Sequence, residues 1–307
     1  MSKNKNKQTL ENLFFDLCES GNINGVRHCI ELGLDVNCVS EDGMKSGLSL
    51  AAKYGYLQLL NFLLLCPDID VNLTTDVRCI EEGNYTSGQI TPLMVACYNE
   101  NHKFVRSLLN APNIDLEYQD SLGCTALHWA AAHSYKCLQE FLDEDVDVNW
   151  NCQDIGKRTP LTIAVLSGNS ATTILILTVP GVDFDIKDGN ELNVAQNAVM
   201  GNDNETEVSL HCLKVLVANE RINFNVLDED GNTPIMWTLK NQWMDRFNIL
   251  VNCSRIDLNI QDRDGDSIAL WALKNNNHGA LKQLLTKPGL DVTLKDTFDD
   301  DLKTLAK

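Results

Sequence analysis

The chain has 307 residues, of which 44% are hydrophobic and 22% charged, a balance typical of a folded protein and not of a disordered one. Its 43 acidic and 25 basic residues give a formal net charge of −18, which disfavours nucleic acid and anionic membranes as partners and favours a protein with a basic segment. No apolar run approaches the roughly 20 residues of a membrane span, and none follows the basic N-terminus, so neither a transmembrane segment nor a signal peptide is predicted.

Eleven cysteines are scattered along the chain without a CxxC pair, which is not the pattern of a disulfide framework or a zinc site. Several, such as Cys97 and Cys137, fall within apolar helical patterns where a free thiol packs as a small hydrophobe. The sequence therefore predicts reduced structural thiols, no metal and a cytoplasmic location, with a nuclear one also open.

Taken in chain order, residues 1–8 are basic and polar and are predicted to be disordered. A phrase of apolar residue, Asp or Asn, apolar residue and, in most copies, Asn then recurs eight times. The copies are LDVN (34–37), IDVN (69–72), IDLE (114–117), VDVN (146–149), VDFD (182–185), INFN (222–225), IDLN (256–259) and LDVT (290–293). Their fourth positions are 35, 45, 32, 36, 40, 34 and 34 residues apart, so a unit of about 34 residues repeats with two insertions.

The phrases divide residues 9–294 into a single array of eight repeats. Their bounds are 9–38, 39–72, 73–117, 118–149, 150–185, 186–225, 226–259 and 260–293, with a long insertion at 73–90 and an acidic tail at 295–307. In the later repeats a Gly-containing turn follows the phrase, as at Gly123 and Gly231, and then a residue suited to cap a helix, as at Thr125 and Thr233. Two segments with helical apolar spacing complete each repeat.

The start of the first helix carries a recognisable motif. It reads TPLMVAC at 91–97, TALHWAA at 125–131, TPLTIAV at 159–165 and TPIMWTL at 233–239. These segments resemble the TPLHxAA signature of the ankyrin-repeat family, and the resemblance covers nearly the whole chain. It implies an all-α ankyrin-repeat solenoid of stacked helix-turn-helix units with projecting β-turn fingers, and protein recognition along the concave side.

Two sets of side chains are predicted to bind a partner, because neither is needed for the core. The finger tips are Ser121, Leu122, Glu229, Asp230, Arg263 and Asp264. The residues near the end of each first helix, which would face the groove, are Tyr54, Asn99, His133, Ser167, Asn241 and Asn275. The alternative for each is a solvated polar face. Acidic residues also concentrate at 140–147 and at 228–230 with 262–266, where they would attract a basic peptide.

Trp129, Trp237 and Trp271 occupy one position of the repeat, directly after the position of the signature histidine. In other repeats this position is apolar, with Leu50, Val95, Ile163 and Val194. The sequence therefore predicts that the three indoles pack in the core, the alternative being exposed anchors. The resemblance implies that His128 bonds backbone between neighbouring repeats.

The resemblance also implies a modification, because the Asn that ends the phrase is a target of asparaginyl hydroxylases in this family. Asn72, Asn149 and Asn259 are the candidates, the alternative being a purely structural role in the turn.

No phosphate-binding glycine loop, nucleophile elbow or HExxH motif is present, so the sequence predicts no catalysis and no cofactor. The predicted function is a monomeric scaffold or adaptor that binds a partner protein through its groove and finger tips. The alternative is the targeting component of a ubiquitin ligase or of a host-directed effector system.

Overall fold

The computed structural model describes residues 2–76, 88–201 and 207–305, and of residues 2–6 and 208 it describes the backbone alone. This part of the chain forms seventeen α-helices and no strand, with three isolated β-bridges, Val39 to Ser46, Thr75 to Ile90 and Gln261 to Ser267. The predicted all-α fold class is confirmed.

The helices are α1 Ser2–Glu19, α2 Ile23–Glu31, α3 Gly47–Tyr54, α4 Leu57–Leu64, α5 Pro92–Tyr98, α6 His102–Leu109, α7 Ala126–His133, α8 Tyr135–Asp143, α9 Pro160–Leu166, α10 Ser170–Leu177, α11 Val194–Met200, α12 Glu207–Ala218, α13 Pro234–Lys240, α14 Met244–Leu250, α15 Ile268–Lys274, α16 His278–Leu284 and α17 Leu302–Leu305.

The chain divides into two compact bodies. One comprises residues 1–163 and 178–181, and the other residues 164–177 and 182–307. Within each body the first helix of a repeat contacts the first helix of the next, as α3 contacts α5 and α13 contacts α15. Second helices contact second helices in the same way, as α6 contacts α8 and α12 contacts α14. Apolar faces are therefore buried between neighbouring repeats, which a single helix pair could not achieve.

The N-terminal segment is helical, so the prediction of a disordered 1–8 was wrong. Helix α1 begins at Ser2 and runs without interruption to Glu19. The segment contains no Gly or Pro, and Lys7 pairs with Glu11 one turn later at 3.8 Å. The Gln8 side chain donates a hydrogen bond to the Glu41 carboxylate in the first finger, which adds a tertiary contact that composition could not show.

Each later finger is closed by an Asp that accepts hydrogen bonds from its own turn. Asp120 accepts from the backbone N–H groups of Leu122 and Cys124 at 2.8 and 2.9 Å, and Asp154, Asp188, Asp228, Asp262 and Asp296 accept from the equivalent N–H groups of their own turns. In the same turn Gly123 has φ +73°, and a Cβ there would lie 2.8 Å from the Ile155 nitrogen of the next finger. Glycine is needed for both the backbone conformation and the close approach of the fingers.

The phrase that ends the fourth repeat lies two residues later than predicted. Asn151, and not Asn149, donates its side-chain N–H to the next loop, at the Gly181 oxygen, 2.9 Å away. Asn149 occupies the Asp position of the phrase, where its Oδ1 accepts from the Asn151 backbone N–H at 2.9 Å, as Asp35 does from Asn37. With the phrase at 148–151, the irregular spacings of 32 and 36 both become 34.

The insertion at 73–90 is carried on the tip of a finger, and its residues 77–87 lie outside the described part of the chain. Its base is a normal finger, because Thr75 and Ile90 exchange backbone hydrogen bonds at 3.0 and 2.9 Å. The Asp76 N–H donates to the Gly43 oxygen of the preceding finger, and the Ser121 N–H donates to Gly88. The row of fingers therefore continues through the base of the insertion.

The described part of the acidic tail, residues 295–305, begins a further unit, which differs from its description as a tail. The Thr297 N–H donates to the Asp264 oxygen, so Asp296 to Asp300 forms another finger. Asp301 then accepts from the Thr304 N–H and caps the short helix α17, whose Leu302 is buried. Helix α17 packs on α15 in the manner of a first helix.

Candidate protein-binding surface

Capping interactions fix the start of most first helices and hence the direction of their side chains, although Thr233, predicted to cap α13, makes no capping hydrogen bond. In α7 the Thr125 N–H donates to His128 Nδ1 at 3.1 Å, while His128 Nε2 lies 3.0 Å from the Arg158 carbonyl oxygen. Because a carbonyl only accepts, Nε2 carries the proton and the ring is neutral. Burial lowers the pKa of His128, since the charged imidazolium would lose its hydration.

The predicted groove residues all occupy the eighth position after the helix cap. Tyr54, His133, Ser167, Asn241 and Asn275 are exposed, and Asn99 is half-buried. The amides of the three asparagines donate to carbonyl oxygens of their own helices, as Asn241 does to Trp237 at 3.0 Å. The position therefore points away from the core in each body, and its aromatic members have the largest surface to offer.

The predicted tip residues are of two kinds. Glu229, Asp230, Arg263 and Asp264 are exposed, with Asp230 and Arg263 forming a loose ion pair at 3.6 Å. The Ser121 side chain is already hydrogen-bonded within the chain, because its hydroxyl accepts from the Gly88 N–H at 2.7 Å. Leu122 is half-buried. Sequence reasoning missed Ile155 and Phe298, which are 71% and 81% exposed at the tips.

Consecutive tips are joined by backbone hydrogen bonds within each body. Ile155 donates its N–H to the Leu122 oxygen at 3.0 Å, and Arg263 donates to the Asp230 oxygen at 3.0 Å. Together with the Asp76, Ser121 and Thr297 bonds, these contacts form a finger ladder. The exposed tip side chains therefore project from a backbone that is bonded to at least one neighbouring finger, and the fingers at 120–124 and 262–266 are bonded on both sides.

The tryptophan position is half-buried, which differs from the predicted core position. The indole N–H of Trp129 donates to Asp120 Oδ2 at 2.9 Å, and that of Trp237 donates to Asp228 Oδ2 at 2.6 Å. In the sixth repeat the cap is Asn193, so Asn197, and not Val194, occupies the position and donates to Asp188 Oδ2 at 3.0 Å. The position thus donates to the finger Asp in three repeats, whereas Trp271 makes no such bond and the other repeats carry Leu50, Val95 and Ile163.

The asparagines that end the phrase link one repeat to the next. The Asn72 amide donates to the Asn113 oxygen at 2.7 Å and accepts from the Asp115 N–H at 2.9 Å. Asn259 makes the equivalent pair with Gly289 and Asp291 at 2.8 and 2.7 Å. Both amide atoms bond to residues 30 to 43 positions away in the sequence, so these side chains act as clamps between loops.

The acidic residues predicted to attract a basic peptide are largely paired within the chain. Glu140 on α8 is only 6% exposed and accepts from Arg106 Nε at 2.6 Å, with His102 Nδ1 3.0 Å from its other oxygen. Arg106 also lies 3.3 Å from Glu144. Glu140 and Glu144 therefore hold α6 and α8 together, whereas Asp145 and Asp147 are exposed and form no ion pair with a described residue.

Two lysines neutralise the C-terminal acidic concentration. Lys274 Nζ lies 2.6 Å from both Asp266 and Asp296, which belong to consecutive fingers, and Lys240 Nζ lies 3.0 Å from Asp262. The hydrogen bond from Lys274 holds the pKa of Asp296 below its ordinary value. Neither lysine was singled out from sequence, although both occupy the seventh position after the helix cap.

The family model described as "Ankyrin repeats (3 copies)" matches the chain at residues 48–152, 93–188 and 197–296. The chain belongs to the ankyrin-repeat family. Ankyrin repeats are generally modules for protein–protein interaction and are typically non-catalytic. A search of curated proteins finds no match to the sequence.

Two arginines strengthen the ankyrin stack in the C-terminal body. Arg255 donates to the carbonyl oxygens of Val217 and Ile222 at 2.5 and 2.9 Å, and so caps the end of α12 from the next repeat. Arg221, 34 residues earlier, lies over the Phe184 ring at 4.5 Å and reaches the Leu177 oxygen. Their spacing of one repeat is the signal that could have identified them.

The described part of this ankyrin chain contains no group of three or more His, Cys, Asp or Glu side chains placed to hold a metal ion. Nor does any helix within it have the length and hydropathy to span a membrane. Ten of the cysteines are described and are free. Burial raises the pKa of the Cys124 thiol to about 12 and that of Cys152 to about 11, which keeps both protonated.

Proposed function

We propose that the chain is a non-catalytic scaffold or adaptor that binds a partner protein through the ends of its first helices and its finger tips. The finger ladder is the observation that carries this proposal. Backbone hydrogen bonds join each tip of the ladder to at least one neighbouring finger, while most of the side chains at the tips stay exposed. A surface that is ordered before binding loses little conformational entropy on docking.

Apolar tips support the same proposal. Ile155 and Phe298 contribute little to the core, and their exposure leaves apolar surface that a partner would bury. Full burial of one such side chain contributes roughly 1.5 to 3 kcal/mol, enough to act as an anchor.

The test is affinity purification with two matched variants. The surface variant carries Tyr54→Ala, His133→Ala and Ile155→Ser, all exposed positions in the N-terminal body. The control carries Gln58→Ala and Lys136→Ala, exposed positions on the second helices α4 and α8. We expect the surface variant to lose partners that the wild type and the control retain. Equal recovery by all three proteins would refute the assignment of the surface.

The same purification addresses the finer predictions. Recovery of ubiquitin-ligase subunits or of host proteins would favour the targeting alternative over the adaptor. We propose that the chain acts as a monomer in the cytoplasm or nucleus, and light scattering of the purified protein measures its mass directly. A dimer would contradict the first of these proposals.

We further propose hydroxylation of the asparagines that end the phrase, as the family resemblance suggests. Asn72 and Asn259 remain candidates. Asn149 occupies the Asp position of the phrase, so Asn151 replaces it as a candidate. Mass spectrometry of the protein isolated from its source would show one added oxygen on the peptides that contain Asn72 or Asn259. Unmodified peptides alone would refute the proposal.

A further inference from the structure

Three rings form a compact cluster at the ends of α5 and α7. Trp129 and His133 lie nearly parallel, with ring centroids 5.9 Å apart and planes at 15°. Tyr98 meets both edge-on, with centroids 5.7 and 4.9 Å away. Tyr98 and Trp129 are half-buried, and His133 is exposed. We call Tyr98, Trp129, His133 and Glu100 the aromatic–acid cluster.

The cluster is fixed in orientation before any partner arrives. The hydrogen bond from the Trp129 indole to Asp120 at 2.9 Å sets the plane of the largest ring, and Asp120 is itself held by its turn. Rings that are already ordered lose little rotamer freedom on binding. The cluster therefore has the rigidity of a binding site and not of a mobile surface patch.

Negative charge lies beside the rings. Burial lowers the pKa of His133, and the negative charge of the Glu100 carboxylate partly offsets this effect. His133 is therefore neutral at pH 7, and its ring offers a π face and not a competing cation. Glu100 is exposed and forms no ion pair with any described residue.

Elsewhere this chain places its own cations over aromatic rings. Arg27 lies over Phe62, and Arg246 lies over Trp243 at 4.8 Å. Over Trp129 the described residues place no Lys or Arg, and Glu100, which follows Tyr98 of the cluster by two residues, forms no ion pair with them. An aromatic face next to a free acid attracts a cation from another molecule.

We infer that the aromatic–acid cluster seats an arginine side chain of the partner protein, with the guanidinium on the rings and hydrogen-bonded to Glu100. Arginine fits better than lysine because its planar group stacks on rings and its forked N–H donors match a carboxylate. The proposed function assigns this surface to partner binding, and the inference names the side chain that the surface would bind. The inference therefore rests on the proposed function.

Glu100 also provides a variant that separates binding from folding. Its φ of +57° is left-handed, and glycine occupies the equivalent position at Gly55 and Gly168. Glu100→Gly therefore removes the carboxylate while relieving backbone strain, and we expect its Tm to rise. Gln242→Gly is the matched control, because Gln242 has φ +61° at the same position in the C-terminal body. It should raise the Tm in the same way without affecting the cluster.

The experiment is an NMR titration of the full, nitrogen-labelled chain at low salt with three peptides. They are acetyl-Gly-Ser-Gly-Xaa-Gly-Ser-Gly-amide with Xaa as arginine, lysine or the neutral isostere citrulline. We expect the arginine peptide to shift the Trp129 indole N–H resonance, identified with Trp129→Phe, and to saturate. The lysine peptide should bind more weakly, and the citrulline peptide should give no comparable shift.

Glu100→Gly, Glu100→Gln and His133→Ala should each weaken arginine-peptide binding by about fivefold or more. Gln242→Gly should bind as the wild type does. Equal shifts with citrulline, an unmoved Trp129 resonance, or full affinity in both Glu100 variants would overturn the arginine site.

The failure of the arginine site and the failure of the proposed function give different results. Partners that are lost with the surface variant but retained by Glu100→Gly and His133→Ala would refute the arginine site and leave protein binding intact. Arginine-peptide binding without any partner lost by the surface variant would refute the proposed surface instead.

Discussion

The clamp made by Asn225 in the C-terminal body can be tested quantitatively. Its half-buried amide donates to the Arg255 oxygen and accepts from the Asp257 N–H, both at 2.9 Å. A typical intramolecular hydrogen bond contributes a net stability of about 1 kcal/mol. Asn225→Ala removes both bonds, so the free energy of unfolding should fall by about 2 kcal/mol, roughly a 30-fold change in the folded-to-unfolded ratio.

Urea denaturation followed by circular dichroism measures this loss, and hydrogen exchange at the Asp257 amide reports the local opening if the repeats unfold separately. Asn225→Asp keeps the oxygen that accepts from the Asp257 N–H, so its free energy of unfolding should fall by about half as much. A carboxylate already acts as such an acceptor at the equivalent position of another repeat, where Glu117 accepts from the Asn149 N–H at 2.9 Å. Asn248→Ala is the control, since that exposed side chain on α14 bonds to no described residue. Equal destabilisation by Asn225→Ala and Asn248→Ala would refute the clamp.

Three further predictions concern the same fold. Burial lowers the pKa of His128 below its ordinary value of 6.5, so the contribution of this side chain to stability is complete above pH 6.5 and declines as the pH falls below it. The Tm measured between pH 7.5 and 5 should therefore fall less in His128→Gln than in the wild type. An identical fall in both proteins would contradict this prediction. Gly123→Ala should lower the free energy of unfolding by at least about 1 to 2 kcal/mol in denaturation experiments, because of its left-handed φ and the 2.8 Å approach to the Ile155 nitrogen. Arg255→Met should cost about 2 kcal/mol by the same measurement, through loss of two hydrogen bonds to carbonyl groups that end α12; an unchanged stability would show that water replaces the guanidinium.

The local structure of the turns and helix starts could be predicted from the sequence. The cap at Thr125, the turn glycine at Gly123 and the helical spacing of apolar residues act within a few residues of one another, and the structure shows them as predicted. The repeat period, read from the phrase, indicated a stacked all-helical fold because eight copies in phase leave few other arrangements.

The position of the phrase that ends the fourth repeat could not be settled in this way. Both 146–149 and 148–151 fit the phrase, and local chemistry does not distinguish them. The decision comes from the partner of Asn151, the Gly181 oxygen in the following loop. A hydrogen bond across 30 residues exists only once the chain has folded.

The electrostatics of the surface were decided in the same way. The composition showed an excess of acidic residues. It did not show that Arg106 and His102 pair with Glu140, or that Lys274 forms ion pairs with two consecutive fingers. Sequence determined the repeat and its local geometry, because caps and turns are built from neighbouring residues. Tertiary structure determined which charges and rings are left for a partner, because charge pairing and ring packing depend on distances between residues more than 20 positions apart.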